Sequence, residues 1–166
     1  MNRPDPTATK ISCGLRVIAM WSVLTLSVPQ VGHAQAADGL TVLSALQFGT
    51  IAVLGPGAVT IFAEGSRSAE GQTYFVGADS SQPAQVVVAS RTAHMAFSLS
   101  LPDSFVLASD TGPATLIVSR LKSAPFPAIT GPSATSTVSI GATLQFSSIP
   151  PPGRYSGNFQ LAVIWP

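Results

Sequence analysis

A chain of 166 residues that is 46% hydrophobic and only 9% charged, with net charge +1 and a single cysteine, excludes several classes at once. It carries no basic stripe, so nucleic acid and anionic membrane surfaces are poor partners. Its apolar content, with abundant serine and threonine, argues against disorder.

The first 36 residues read as an export signal. Arg3, Lys10 and Arg16 give a positive start, LRVIAMWSVLTLSV gives an apolar core, and Ala34-Gln35-Ala36 supplies the small residues that signal peptidase accepts. That core is 14 residues long, short of the roughly 20 that a bilayer-spanning helix needs. Cleavage is expected after Ala36, or after Ala34 with Gly32 at the −3 position. Cys13 precedes the apolar core, the wrong side for a lipid-anchored cysteine, and leaves with the signal. Residues 37–166 are then expected to form one disulfide-free domain, exported to the periplasm, the cell surface or the medium. That stretch has five basic and six acidic residues, far below the roughly 25% charge of an average soluble domain. Burial and hydrogen bonding must therefore supply its stability.

From there the apolar period is two. LQFGTIAVLGPGAVTI predicts a strand, a turn through Gly55-Pro56-Gly57, and a second strand with Val59 and Ile61 alternating against Thr60. GQTYFVG places Tyr74 as the most exposed aromatic, and AQVVVAS is a β-branched run of strand length. In MAFSLSL, Met95, Phe97, Leu99 and Leu101 share a predicted core face, which turns His94 outward. ATLIVSRL is another strand, and residues 123–137 read as a long surface connection. ATLQF sets Leu144 and Phe146 against Gln145, and the closing GRYSGNFQLAVIWP alternates most regularly of all. Gly/Pro punctuation recurs throughout, no helical stripe follows the signal, and no internal repeat is present. The expected fold is all-β, an immunoglobulin-like antiparallel β-sandwich, with a small barrel second.

The inventory for chemistry is thin. His94 is the only histidine of residues 37–166 and cannot make a zinc site alone, and no Ser–His–acid signature is present. GTIAVLGPG lacks the lysine of a phosphate loop and the spacing of a dinucleotide fingerprint. Glu64 and Glu70, and Asp103 and Asp110, are paired carboxylates. Arg67 stands between the first two, and solvated loop charges explain both pairs better than glycosidic chemistry does. No catalytic, cofactor-binding or metal residue is expected, and no enzyme.

The opening LQFGTIAVLGPGAVTI and the close VSIGATLQF…PPGRYSGNFQLAVIW resemble a bacterial secreted domain-of-unknown-function family, number 4402. That family is in turn similar in its close to spore-coat-U-like and fimbrial subunit domains. The resemblance implies a surface or pilus-like β-sandwich without an active site. Pilus subunits end in an alternating strand with an aromatic second from the end and a glycine fourteenth, the places of Trp165 and Gly153. It implies an assembly strand carried by Gly153, Tyr155, Phe159, Leu161, Val163 and Trp165, whose partners are like subunits or a periplasmic chaperone. Two features depart from that pattern. Residues 37–166 lack the disulfide of the best-known pilins, and the alternation of Leu40 and Val42 breaks at Ser44. The function expected is an exported, non-enzymatic structural or adhesive protein of the bacterial surface. The alternative is a self-contained secreted binding module for carbohydrate, resting on Tyr74.

Overall fold

A computed structural model describes residues 9–17, 39–77, 81–126 and 128–166. The chain is all-β, as its periodicity predicts, with no helix among the described residues. The strands are β1 (Thr9–Val17), β2 (Gly39–Ser44), β3 (Leu46–Ile61), β4 (Arg67–Phe75), β5 (Ser81–Gln82), β6 (Ala84–Ala89), β7 (Ala96–Ser100), β8 (Ser104–Ser109), β9 (Thr115–Ala124), β10 (Ala128–Ile129), β11 (Thr135–Phe146) and β12 (Gly153–Ile164). The cleavage region that the sequence predicts lies outside the described residues, as does Asp79.

One sheet runs β2-β6-β11-β9-β8-β12-β1-β3-β4, and β11 pairs β3 as well. The pairings therefore form a closed circuit: β3, β11, β9, β8, β12, β1 and back to β3. All are antiparallel except β1 with β3. Closing a sheet on itself removes free edges, and here β1 is the closing member.

The long strand β3 makes the circuit possible. Gly55-Pro56-Gly57 is not the predicted hairpin turn, because β3 continues through it to Ile61. Instead, the register with β4 slips between Val53 and Gly57, so that Leu54, Gly55 and Pro56 face the single residue Gln72. Proline lacks a ladder donor and is tolerated at such a bulge. Before the bulge β3 offers Leu46–Ile51 to β1, and after it Gly57–Ile61 to β11. One strand thus serves two partners.

β11 changes partners in the same way, pairing β6 through Thr135–Ile140 and β3 through Ala142–Phe146. Gly141 sits at the change, where a Cβ would strike the Ile61 carbonyl and the Ala63 amide. Residues 140–144 are consequently all buried, so alternation lapses at the crossing and returns with exposed Gln145.

The core gathers Leu46, Phe48, Ile51, Val59, Leu107, Leu144, Tyr155, Phe159 and Leu161, all at 3% exposure or less, among others. Val59 and Ile61 are buried against half-buried Thr60, as expected. The predicted inward face of MAFSLSL needs correction at Met95, which is exposed. β7 starts only at Ala96, and the Met95 amide is tied to Thr130 Oγ1 at 2.8 Å in the preceding turn. His94 is exposed, with φ 58° and its amide donating to the Thr130 carbonyl. The connection predicted at 123–137 contains a strand of its own, β10, paired with β7. No helix among the described residues is long and apolar enough to cross a membrane.

Candidate functional site: the strand slot beside β12

Every residue of the predicted assembly strand lies on β12 or one step past it. Tyr155, Phe159 and Leu161 are buried, while Ser156, Asn158 and Gln160 between them face solvent. Gly153 is half-buried, and Val163 and Trp165 pack part-buried against the core. The alternation in sequence is thus an inward and an outward face. Phe159 stacks on Phe105 at 4.9 Å between ring centroids, and Trp165 meets Phe97 at 5.5 Å. Gly157 is set by close approach, because a Cβ there would meet the Val106 carbonyl and the Leu107 side chain.

Tyr155 anchors the start of the strand. Its hydroxyl donates to the Pro151 carbonyl at 2.7 Å, four residues upstream. The arrangement is that of a tyrosine corner, in which a phenol near a strand start holds the incoming loop. Burial pushes the phenol above its ordinary value of 10.0, with a hydrogen bond from the Ser109 side chain pulling the other way. The alternation places Tyr155 on the strand but does not give this bond, whose only signal in the sequence is a tyrosine three residues after the proline run 150–152.

The two edges of β12 have partners of different kinds. Past Leu161, β7 pairs Ala162–Ile164. On one side of the residues before, β8 pairs Tyr155 and Ser156. On the other, β1 pairs Gly153–Leu161 in nine consecutive positions. β1 also runs parallel to β3, from Cys13 opposite Leu46 to Val17 opposite Ile51. The strand between β12 and β3 is therefore residues 9–17, part of the segment that reads as an export signal.

The remaining candidates do not converge on a site. Glu64 accepts a hydrogen bond from Ser66 Oγ at 3.2 Å, and Asp110 accepts one from Ser156 Oγ at 3.4 Å. Among the described residues no three His, Cys, Asp or Glu side chains come together to hold a metal. Tyr74 is 54% exposed on β4, opposite Ala52, while Arg67 stacks over Phe75 at 4.7 Å. A shallow open groove between residues 114–117 and 145–151 contains no charged side chain.

The model of the family described as Domain of unknown function (DUF4402) matches residues 40–165. The chain belongs to that family. The match begins one residue into β2 and runs through Trp165, so the DUF4402 region takes in β2–β12 and leaves β1 outside it. No curated protein and no solved structure matches the chain.

Proposed function

We propose that this DUF4402 chain is an exported, non-enzymatic structural or adhesive protein of the bacterial cell surface that assembles through its last strand. The reading takes residues 1–36 as a signal that is removed, and the domain as a pilin-like β-sandwich. One observation carries it: the partner of β12 over Gly153–Leu161 is β1, which belongs to that signal. Removal leaves two strand edges, on β12 and β3, facing a gap one strand wide. Unpaired edges are templates for strand addition, in which main-chain bonds supply affinity and alternate side chains supply selectivity. The outward positions Ser156, Asn158 and Gln160, with Arg154 the one charge in their row, and the scarcity of charge suit a packed assembly better than a soluble enzyme.

The test is to express the full chain with its own leader in a bacterium and compare processed with unprocessed protein by amide hydrogen exchange. Processed protein should be recovered from the surface in a complex, with the amides of residues 154–160 protected only while the partner is bound. A processed monomer that protects those amides as fully as the unprocessed chain would sink the proposal.

A second reading, a carbohydrate-binding module, is favoured by Tyr74, whose ring is exposed on an edge strand. Glycan-array binding lost in Tyr74→Ala, with the fold intact, would support it. Binding that survives that change would remove it.

A further inference from the structure

We infer that the processed chain accepts a strand in the β3/β12 slot but cannot supply one to a second copy of itself, so that its partner is a different polypeptide. This deepens the reading above and rests on it. The slot sets the pattern of its occupant. Antiparallel pairing to β12 puts occupant residues opposite Gly153, Tyr155, Gly157, Phe159 and Leu161 on the core side. Tyr155, Phe159 and Leu161 are at most 3% exposed, so polar groups at those five alternate places would lose water without gaining partners. In register, Thr9, Ile11, Cys13, Leu15 and Val17 stand opposite those five positions.

The segment of the processed chain before β3 does not fit. In Ala37–Ala45, the frame that turns Leu40 and Val42 inward also turns Asp38 and Ser44 inward. The other frame offers Ala37, Gly39, Thr41, Leu43 and Ala45, with one large apolar side chain among five. The segment is also already in use. β2 pairs β6 from Gly39–Ala89 to Ser44–Gln85, with its bulge between Val42 and Ser44. Leu40 and Val42 pack against the core, and Ser44 Oγ accepts from the Gln85 amide at 3.1 Å. Donation would strip the edge of β6 and bury a carboxylate. The fitting partner is therefore another protein with an edge strand or extended segment of five alternating apolar residues, running antiparallel to β12.

The experiment uses the chain exported and processed through its own leader, with its amino terminus sequenced, and a synthetic peptide of residues 9–17 as the probe. Sedimentation at rising concentration reads self-association, and calorimetry reads peptide stoichiometry, with a scrambled peptide as control. The expected result is a monomer at every concentration that binds one peptide per chain. Oligomers that residues 9–17 dissolve into monomers would overturn the inference while leaving the slot intact. An unprocessed amino terminus, or a processed monomer that binds no peptide, would overturn the underlying reading and the inference with it.

Discussion

At Tyr155 a single hydroxyl links the loop before β12 to the strand itself. Tyr155→Phe keeps the buried ring and removes the bond to the Pro151 carbonyl, which should cost about 0.5–1.5 kcal/mol in urea unfolding. The same phenol gives a signature in alkali. Its folded pKa is raised above the ordinary 10.0, so above pH 10 the unfolded chain sheds the proton first. The folded state then binds more protons than the unfolded one, and stability falls as pH rises. The wild-type chain should therefore lose stability above pH 10 by a margin that Tyr155→Phe lacks, and a pH series of unfolding midpoints for both proteins checks it. Parallel curves would show that the burial of this phenol contributes nothing. Gly141 is a second residue on which the fold turns. A Cβ there meets backbone of residues 61–63, which is not the flexible end of a side chain. Gly141→Ala should accordingly destabilise by about 1–3 kcal/mol, as overpacking does in close-packed interiors. A midpoint within error of wild type would mean that β11 and β3 can separate cheaply at their crossing.

Among the elements, β12 has two energetic segments. Residues 153–161 pair β1, with β8 on the other edge at Tyr155 and Ser156, whereas residues 162–164 pair β7 among the described strands, with Trp165 closing on Phe97 just beyond. Trp165→Ala should cost about 1–3 kcal/mol, below the roughly 3–5 of a fully buried tryptophan. Hydrogen exchange should quicken at 162–164 and in β7, and hardly change at 154–160. Uniform acceleration along β12 would mean that the terminal aromatic holds the whole strand. The alternation that exposed this strand in the sequence follows directly from a pleated element with one face in the core, which is why Tyr155, Phe159 and Leu161 were legible. Gly55-Pro56-Gly57 was not, because a bulge and a turn use the same residues, and only the partners on each side distinguish them. Met95 misled for a related reason. A period of two fixes the faces but not the first residue of the strand, and Thr130, a buried hydroxyl far along the chain, sets that start. The lining of the slot could be read from the sequence. Its present occupant could not, because residues 9–17 read as part of an export signal and pair with β12, more than a hundred residues away, as well as with β3.

For the molecule as a whole, the circuit of strands is complete only while residues 9–17 are part of it. If residues 1–36 are removed as proposed, the chain keeps the DUF4402 region and gains two facing edges, on Gly153–Leu161 of β12 and Leu46–Ile51 of β3. Neighbouring strands lie about 4.8 Å apart, so closing the gap directly would mean shifting one side by a full strand spacing against a close-packed core. The slot should stay open, and the processed chain should unfold at a lower urea concentration than the unprocessed one. A strand that binds only the folded state restores stability by mass action, about 2.7 kcal/mol at a hundred times its dissociation constant. Peptide 9–17 should thus raise the midpoint of the processed chain and leave the unprocessed chain, whose slot is filled, unmoved. Salt identifies the forces. The outer row of β12 holds Arg154 beside uncharged Ser156, Asn158 and Gln160, and Arg154 stands opposite Arg16. The charges in register therefore repel, and the attraction comes from the ladder and from apolar burial rather than from screened ion pairs. Raising ionic strength from 0.05 to 0.5 M, round figures spanning about a threefold change in Debye length, should therefore change the midpoint shift little. A shift that vanishes in salt would mean that the peptide is held by Lys10 and Arg16 at the surface, outside the slot.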